Sequence, residues 1–384
     1  MPYELYLRQY DRTGAIKHAV INPLWARWTD SVSGQEPLVF ALDTAHPFVG
    51  DIAEFDIWEV LLKNTELGIT DFTRAGVFIQ RDWDRATDDD GLEIVTFTAP
   101  NQRHILSWRH ILWYAGVADR SDFAAKKAET VMKNIVKYNL TALATVANGR
   151  QREGNLSTGM SVDLTVAADG AAGNTISIAC MGMNVLTALQ KVAEVAGGDF
   201  SLDWAGGHAW TFAWHPGQLG ADKSAGADRV LFATAPGNET MLRPRLTHLG
   251  AGATTAIAAG KGDGLARAVT PVNGVDYAAN YDLETFVDAR NENTADGRTY
   301  RGAIELEAVR ARGTLEFDVN QTANQFYSPV AVTGRKTYKA GDLVLATYGV
   351  EKVHKIDTIT LDWKPPSRGE AFTVSVTTRE VPGA

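Results

Sequence analysis

Short stretches of alternating polar and apolar residues fill the first hundred positions of the chain. They are rich in aromatic and β-branched side chains and are separated by turn residues, a pattern that predicts strands of a barrel or sandwich. The clearest hairpin is predicted to run from residues 76–79 through a turn at 86–91 to residues 92–97, because Asp90 and Gly91 supply the turn chemistry. The other predicted strands cover residues 3–8, 15–21, 26–32, 38–42 and 55–62.

The spacing of the apolar residues lengthens after Pro100. Spacings of three and four predict a short helix behind a cap at Asn101, and a second helix that opens near Ser121 with an apolar stripe on one face. Residues 141–175 are rich in Gly, Ala, Thr and Asn, which predicts that much of this stretch is loop and the most mobile part of the chain.

A strand–helix–hairpin unit follows, and the chain then returns to strands. A strand is predicted at 175–180, a helix at 184–196 that ends at Gly197, and a hairpin of residues 200–204 with 209–214. No sequence repeat with a period of about 20 to 50 residues is visible. The remaining predicted elements are a strand pair at 245–248 and 255–259, a helix at 299–311, and strands at 315–319, 343–347, 354–361 and 372–378.

The composition is that of a water-soluble globular protein. The 384 residues are 45% hydrophobic and 22% charged, and at about 150 residues per domain they predict two to three domains. No stretch approaches the roughly 20 apolar residues of a membrane span, and no export signal opens the chain. The single cysteine, Cys180, excludes a disulfide framework and fits a reducing cytoplasm, while the net charge of -9 argues against a nucleic-acid-binding surface.

Metal and nucleophile motifs are weak in this sequence. The acidic run with Asp82, Asp84 and Asp88 has the alternation of a calcium loop, but Ala86 and Thr87 stand where such a loop needs a ligand and a glycine, so we interpret the run as a solvated turn. The eight histidines lack metal-ligand spacing, and no Gly-x-Ser-x-Gly elbow occurs. Cofactors, metals and catalytic residues are therefore predicted to be absent. Two distant carboxylates can still form a glycosidase pair, which leaves a carbohydrate-cleaving alternative open.

Glycines and charges cluster in the last third of the chain. The glycine-dense segment 260–264 has neither phosphate-loop nor dinucleotide-loop spacing and predicts a sharp turn or bulge. Downstream charges are interpreted as pairs that hold two strands and a subunit contact together, with a catalytic cluster as the alternative. The candidate turn and charge-pair residues are Gly260, Gly262, Gly264, Arg267, Glu284, Asp288 and Arg290.

The ten tryptophans are predicted to pack in the core or at a subunit interface, because most of them fall within strand or helix patterns that also carry aliphatic residues. A sugar-binding platform built by stacking is the alternative. The tryptophans in question include Trp25, Trp28, Trp58, Trp108, Trp113, Trp204, Trp210 and Trp214.

The order of these segments resembles the tail-hub proteins of long-tailed bacteriophages, which are similar to the amino-terminal module of tail-associated proteins and to the baseplate hub of contractile phages. Four stretches carry the resemblance, and the last two in succession are the most specific. They are the amino-terminal strands up to residues 76–79, the aromatic passage 97–113, the run 258–267 (AAGKGDGLAR), and the segment 283–290 (LETFVDAR) with the following helix and residues 341–344.

The resemblance implies an α+β, mainly β fold with two barrel-like domains that flank a smaller α/β middle region and assemble as a ring. The implied boundaries are 1–119 for the first barrel-like tube domain, 120–240 for the middle domain, and 241–384 for the second barrel-like domain with one helix. Two barrels per subunit would let a three-fold ring match the six-fold tail tube. A trimer would carry three times -9, or -27, charges, and an acidic channel would let DNA pass without tight phosphate contacts.

The resemblance also implies partners and a location. We expect a homotrimer at the virion tail tip, made in the host cytoplasm, which contacts the distal tail ring protein, the tape-measure protein and tail fibre or tip proteins, and which DNA crosses without sequence-specific binding. Because the chain stops at Ala384, after the last predicted strand, lytic or fibre functions are expected on a separate polypeptide. The alternatives are a carbohydrate-binding or carbohydrate-cleaving tail-tip protein and the hub of a related bacterial contractile injection machine.

Overall fold

Strands dominate the secondary structure of the chain. The computed structural model describes residues 3–88, 91–114, 120–237, 239–320, 325–332, 335–365 and 371–381, and within these residues four α-helices accompany the strands. The fold is therefore α+β and mainly β, as predicted. No helix in these ranges is long and apolar enough to span a bilayer.

The amino-terminal part of the chain folds into eight strands. They are β1 (Tyr3–Tyr10), β2 (Ile16–Ile21), β3 (Trp25–Ser31), β4 (Pro37–Asp43), β5 (Ile57–Asn64), β6 (Thr73–Ile79), β7 (Asp82–Thr87) and β8 (Glu93–Pro100). One four-stranded antiparallel sheet has the order β2-β1-β5-β6, while β3, β4, β7 and β8 belong to a larger sheet.

The predicted hairpin at residues 76–97 has a different first arm in the structure. β7 pairs with β8, and Gly91 before β8 has a φ of +80°, whereas residues 76–79 lie in β6 and pair with β5. Asp90 of the predicted turn lies outside the described residues. The sequence prediction failed because Asp82 and Asp84 have the polarity of a turn, but β7 is an exposed edge strand on which such residues are tolerated. The interpretation of residues 82–87 as a solvated turn is therefore wrong.

The passage after β8 contains the short helix that the sequence predicts, in 3-10 form. It spans Gln102–Trp108, and the side chain of Asn101 accepts the backbone N–H of Arg103 at 2.9 Å, so Asn101 caps it as expected. A tight 3-10 turn suits a connection of only seven residues.

The middle region alternates strands and helices. The predicted helix opening at Ser121 is wrong for its first seven residues, which form a strand paired with residues 175–180 before the helix begins at Ala128. The second strand of that pair, the following helix and the next hairpin agree with prediction, and Gly197 ends the helix with a φ of +71°. The elements are β9 (Ser121–Lys127), α1 (Ala128–Leu140), α2 (Ser157–Met160), β10 (Asp163–Val166), β11 (Thr175–Cys180), α3 (Val185–Ala196), β12 (Gly198–Gly206) and β13 (Ala209–Pro216).

The carboxy-terminal part consists of strands and one long helix. Its elements are β14 (Leu231–Ala233), β15 (Met241–Leu249), β16 (Thr255–Ala259), β17 (Val269–Asn273), β18 (Glu284–Asp288), α4 (Ala295–Val309), β19 (Arg312–Val319), β20 (Gln325–Tyr327), β21 (Lys336–Tyr338), β22 (Leu343–Tyr348), β23 (Val350–Lys364) and β24 (Ala371–Glu380). The predicted pairing of residues 245–248 with 255–259 is wrong, because β15 pairs with β19 and β16 lies between β17 and β18. Local turn signals suggested a hairpin, but the chain leaves the large sheet after β15 and returns to it at β19.

One sheet joins the two ends of the chain. Its main path has the order β15-β19-β24-β23-β3-β4-β8-β7, and β22 and β14 attach beside β23. All neighbours along the main path are antiparallel. The four amino-terminal strands and the four carboxy-terminal strands follow the same order, in which the first strand neighbours the second, the second neighbours the fourth, and the fourth neighbours the third.

The residues that the structure describes form three apolar cores between these layers. The core between the four-stranded and the large sheet contains Trp28, Phe40, Trp58 and Leu361, all fully buried. A second core packs α1 and α3 against the middle strands, and a third, small core lies between the β16–β18 sheet and α4. The division of the chain at residues 119 and 240 stays a prediction, and the large sheet contains strands from both sides of it.

Candidate assembly interface

Three of the predicted charge residues of the last third, Arg267, Asp288 and Arg290, meet at one end of the β16–β18 sheet. An Nη2 atom of Arg267 lies 2.6 Å from Asp288 and 3.1 Å from the carbonyl of Ala259, and its Nε donates to the carbonyl of Gly260 at 2.9 Å. The guanidinium also stacks over Phe286, 5.3 Å from the ring centroid. Arg267 therefore ties the segment after β16 to the end of β18.

The other two predicted charged residues are placed differently. Arg290 reaches Asp288 at 3.3 Å, but the side chain of Arg290 is 66% exposed, so this contact is weak. Glu284 lies at the start of β18, about 13 Å from Asp288 at the rise of an extended strand, and is exposed. The structure thus brings together Arg267, Asp288 and Arg290 and leaves Glu284 outside the cluster.

The three predicted turn glycines have different structural demands. Gly262 has a φ of +114°, and a Cβ there would lie 2.7 Å from the carbonyl oxygen of Ala266. A Cβ on Gly260 would lie 2.8 Å from Cδ of Arg298, the flexible part of a side chain. Gly264 has a φ of +53° and open space around it. Gly262 is the glycine that the turn requires.

Strands β16 to β18 and helix α4, residues 255–309, are called the β16–α4 unit. A buried carboxylate that the sequence analysis did not single out joins this unit to the middle region. Both oxygens of Glu292 accept the backbone N–H of Ala179 in β11, at 2.9 and 3.1 Å. Burial raises the pKa of Glu292 to about 7, against the lowering effects of that hydrogen bond and of Arg301. Next to Ala179, burial raises the pKa of Cys180 to about 12, which keeps its thiol protonated and fits the structural role predicted for it.

A charged cleft of about 730 Å³ lies where the large sheet meets the middle region. Its acids lie near bases: Lys355 Nζ is 2.6 Å from Asp199, and Arg379 approaches Asp357 at 3.5 Å and Glu194 at 3.9 Å. Burial raises the pKa of Asp357, and the bases Arg379 and Lys355 oppose the rise. The Lys355–Asp199 pair joins β23 to β12, and the Arg379–Glu194 pair joins β24 to α3, so both support the packing of the middle region on the large sheet.

The main path of the large sheet ends in two open edges, at β7 and β15. In the residues that the structure describes, β7 has β8 as its one neighbour strand and β15 has β19 as its one neighbour strand. On the core side of each edge stands a large apolar side chain that solvent reaches, because Trp83 is 64% exposed and Leu246 is 50% exposed. Unpaired strand edges with exposed apolar residues are typical of surfaces that another chain covers.

The face of the large sheet that points away from the core is lined by hydroxyl and charged side chains. Thr29 and Thr360 hydrogen-bond across the β3–β23 joint at 3.0 Å, and Arg27 pairs with Asp362 at 3.1 Å beside them. Asp82, Asp84 and Glu316 are further acids on this face, which also carries Arg245, Arg379 and Lys364. The face is therefore mixed in charge and not uniformly acidic.

Comparisons with known proteins give a match at the level of structure. Neither protein-family models nor curated proteins match the chain. The 43 kDa tail protein of prophage MuSo2 from Shewanella oneidensis superimposes with a TM-score of 0.57 at 12% identity, over 98% of both chains. This chain has the fold of phage tail proteins. The resemblance inferred from the sequence is thereby confirmed for the fold.

Two further tail-protein structures agree. A tail protein from Neisseria meningitidis MC58 gives a TM-score of 0.53 at 11% identity over 99% of this chain and 97% of that one. Prophage tail protein gp18 from Listeria monocytogenes EGD-e gives 0.51 at 11% identity over 97% and 94%. Because each match spans nearly the whole of both chains, the tail-protein fold includes the middle region and the β16–α4 unit as well as the large sheet.

The residues at the sheet edges were missed by sequence reasoning. Trp83 was hidden in a run interpreted as a turn, and Leu246 in a strand assigned to the wrong partner. In Asp82-Trp83-Asp84 polar and apolar residues alternate, which is the pattern of a half-buried strand and could have identified β7 from the sequence. The exposed apolar residues at the two open edges, and not the predicted glycine-and-charge cluster, are therefore the stronger candidates for an assembly interface.

Proposed function

We propose that this chain is a structural hub protein of a phage tail tip, which adapts the six-fold tail tube to a three-fold tip as a ring of three copies. The repeated strand order of the large sheet is the observation that carries the proposal. Each copy contributes two sheet segments of equal topology, so three copies contribute six, in the manner of a tube with six equivalent subunits. The tail-protein fold supports a place in the virion.

The proposed ring encloses the channel through which DNA leaves. The hydroxyl-lined, mixed-charge face of the large sheet suits this use, because Arg27 is paired with Asp362 and Arg243 with Asp318, which weakens the attraction of these two arginines for phosphates. The distal tail ring, the tape-measure protein and tail fibres are the partners proposed for the two ends of the ring. The hub of a bacterial contractile injection machine would use the same mechanism, and neighbouring genes distinguish the two.

The test is the mass of the purified chain by light scattering, followed by electron microscopy of the particles alone and with purified tail rings. We expect three copies per particle and a central opening with six similar lobes. A chain that stays monomeric in solution and also fails to join tail rings contradicts the proposal.

A further inference from the structure

A groove of about 460 Å³ lies beside strand β10 in the middle region. In the part of the chain that the structure describes, β10 has β13 as its one neighbouring strand, so the second edge of β10 is open. The groove is lined on one side by α1 and the residues just after it, and on the other side by β10 and the residues that follow. A helix and a strand are therefore its two walls.

The backbone of β10 directs hydrogen-bonding groups to this open edge. The N–H groups of Asp163 and Ala167 both donate to carbonyls on the β13 side, at 2.8 and 2.9 Å. Successive residues of a strand that pairs on one side direct their N–H and C=O groups alternately towards and away from the neighbouring strand. Leu164 and Val166 therefore direct theirs to the open edge, where a further strand could pair with them.

Helix α1 runs antiparallel to the chain segment that contains β10. Nζ of Lys133 donates to the carbonyl of Ala168 at 2.5 Å, and Glu129, one helical turn earlier, accepts the N–H of Ala172 at 2.8 Å. Earlier positions on the helix thus contact later positions on the other segment. The carbonyl of Ala168 belongs to the same alternating series as Leu164 and Val166, so the open edge faces the helix.

The repeats of the two walls match along the groove. Lys137 lies one turn after Lys133, about 6 Å further along α1. Val166 lies two residues before Ala168, about 6.6 Å back along the strand. Because the walls are antiparallel, Lys137 is placed beside the open backbone groups of Val166. Leu143, which is 40% exposed, lines the groove beyond Lys137 and gives it an apolar end.

Lys137 is the cation that the groove offers to a ligand. Lys133 is buried and pairs with Glu129. The acid at the same end of the groove, Asp169, accepts the hydroxyl of Thr130 at 2.7 Å. Lys137 forms no ion pair with any residue that the structure describes. A carboxylate on the ligand would supply the missing counter-charge.

We propose that this groove binds an extended, acidic peptide segment of another protein, which pairs with the open edge of β10 and places a carboxylate beside Lys137. Unpaired strand groups select an extended backbone, Lys137 selects an acid, and Leu143 selects an apolar side chain near it. The inference goes beyond the proposed ring, because β10 lies outside the large sheet.

Fluorescent peptides that tile the proteins encoded beside this chain are the probes. We expect at least one acidic peptide to bind, measured by anisotropy, and to slow hydrogen exchange at the amides of Leu164 and Val166. Val166→Pro removes the N–H that points into the groove and no hydrogen bond to β13, so affinity should fall about tenfold. Val166→Ile keeps the N–H and serves as the matched control. Urea unfolding of both variants checks that they remain folded.

Charge reversal gives a second measurement that leaves the backbone unchanged. Lys137→Glu should weaken binding of the same peptide about tenfold. Lys126→Glu makes the same charge change at an exposed position on β9, outside the groove, and should bind like the native chain.

Three results would overturn the proposal. They are the absence of any binding peptide, a peptide whose affinity is unchanged in both Val166→Pro and Lys137→Glu, and self-association that Val166→Pro abolishes, which would assign the groove to a second copy. The first two leave the proposed function standing if the chain still forms trimers or joins tail rings. Peptide binding by a chain that does neither contradicts the proposed function and leaves the groove standing.

Discussion

Glu292 holds Ala179 with both carboxylate oxygens, at 2.9 and 3.1 Å, and is the buried polar tie between the β16–α4 unit and the middle region. Arg301 on α4 and Arg120 before β9 favour its ionised form, while burial and Asp122 oppose it. Because burial is the largest of these effects, this tie responds to pH near neutrality.

The pH dependence of stability should change in Glu292→Gln. The pKa of Glu292 is about 7 in the folded chain, above its ordinary value of 4.5, so the folded state binds the proton more tightly. Its contribution favours folding at low pH and is lost as pH rises from about 4.5 through 7, by up to about 3 kcal/mol. The variant lacks this loss, and its stability relative to the native chain should rise between pH 5 and pH 8.

Urea unfolding at pH 5, 6, 7 and 8 measures this difference. Glu305→Gln, at an exposed position on the following helix α4, serves as the control and should follow the native curve. A constant gap between native chain and Glu292→Gln over the whole range would argue against a raised pKa.

Arg267→Ala should destabilise the β16–β18 sheet by about 2 kcal/mol, because it removes the pair with Asp288 and leaves the carbonyls of Ala259 and Gly260 without their donor. Arg267→Lys should recover only part of the loss, since one ammonium cannot reach all three acceptors. Arg290→Ala, which touches the same aspartate from an exposed position, should cost about 0.5 kcal/mol or less. Thermal unfolding of the three variants checks the order.

Gly262→Ala should cost about 2 kcal/mol or more, because alanine rarely adopts a φ of +114° and its Cβ would press on the Ala266 carbonyl oxygen. Gly264→Ala is the matched control two residues away, with a φ of +53° and open space, and should cost about 1 kcal/mol. Equal melting temperatures for the two variants would refute this account of the turn.

Weak DNA binding is expected of the native chain, and Asp362→Asn should strengthen it several-fold. The substitution releases Arg27 from its 3.1 Å pair on the outer face of the large sheet, and in a ring the change is repeated in every copy. Asp263→Asn makes the same charge change in the exposed glycine-dense segment and serves as the control. Fluorescence anisotropy with duplex DNA at several salt concentrations measures both, and equal gains would contradict a special role for this face.

Helices whose start and stop residues are adjacent to them in the sequence could be predicted. Strands that depend on hydrogen bonds to a distant strand could not. The helix at 185–196 has its cap residue Asn184 and its terminating Gly197 adjacent to it, and the sequence located it correctly. Ser121 to Lys127 carries apolar residues at helical spacing, yet it forms a strand because β11, about fifty residues later, offers it hydrogen bonds.

The candidate site depended even more on distant pairing. The sequence places Arg267 just after the glycine-dense segment, but its contacts with Asp288 and with the carbonyls of Ala259 and Gly260 are visible only in three dimensions. The repeated strand order has no counterpart in a sequence repeat, because equal topology requires only the same alternation of apolar positions. Trp83 and Leu246 could be identified as edge residues only from the strand order, which places β7 and β15 at the two ends of the same sheet.

The β16–α4 unit leaves the large sheet after β15 and returns at β19, the strand beside it. Its two attachment points are therefore close together, as in a loop between neighbouring strands, and a short connection could bridge them at little entropic cost. The β16–α4 unit can therefore be enlarged, exchanged or deleted without a change in the order of the strands around it. This part of the chain can in this way change in length while the large sheet keeps its strand order.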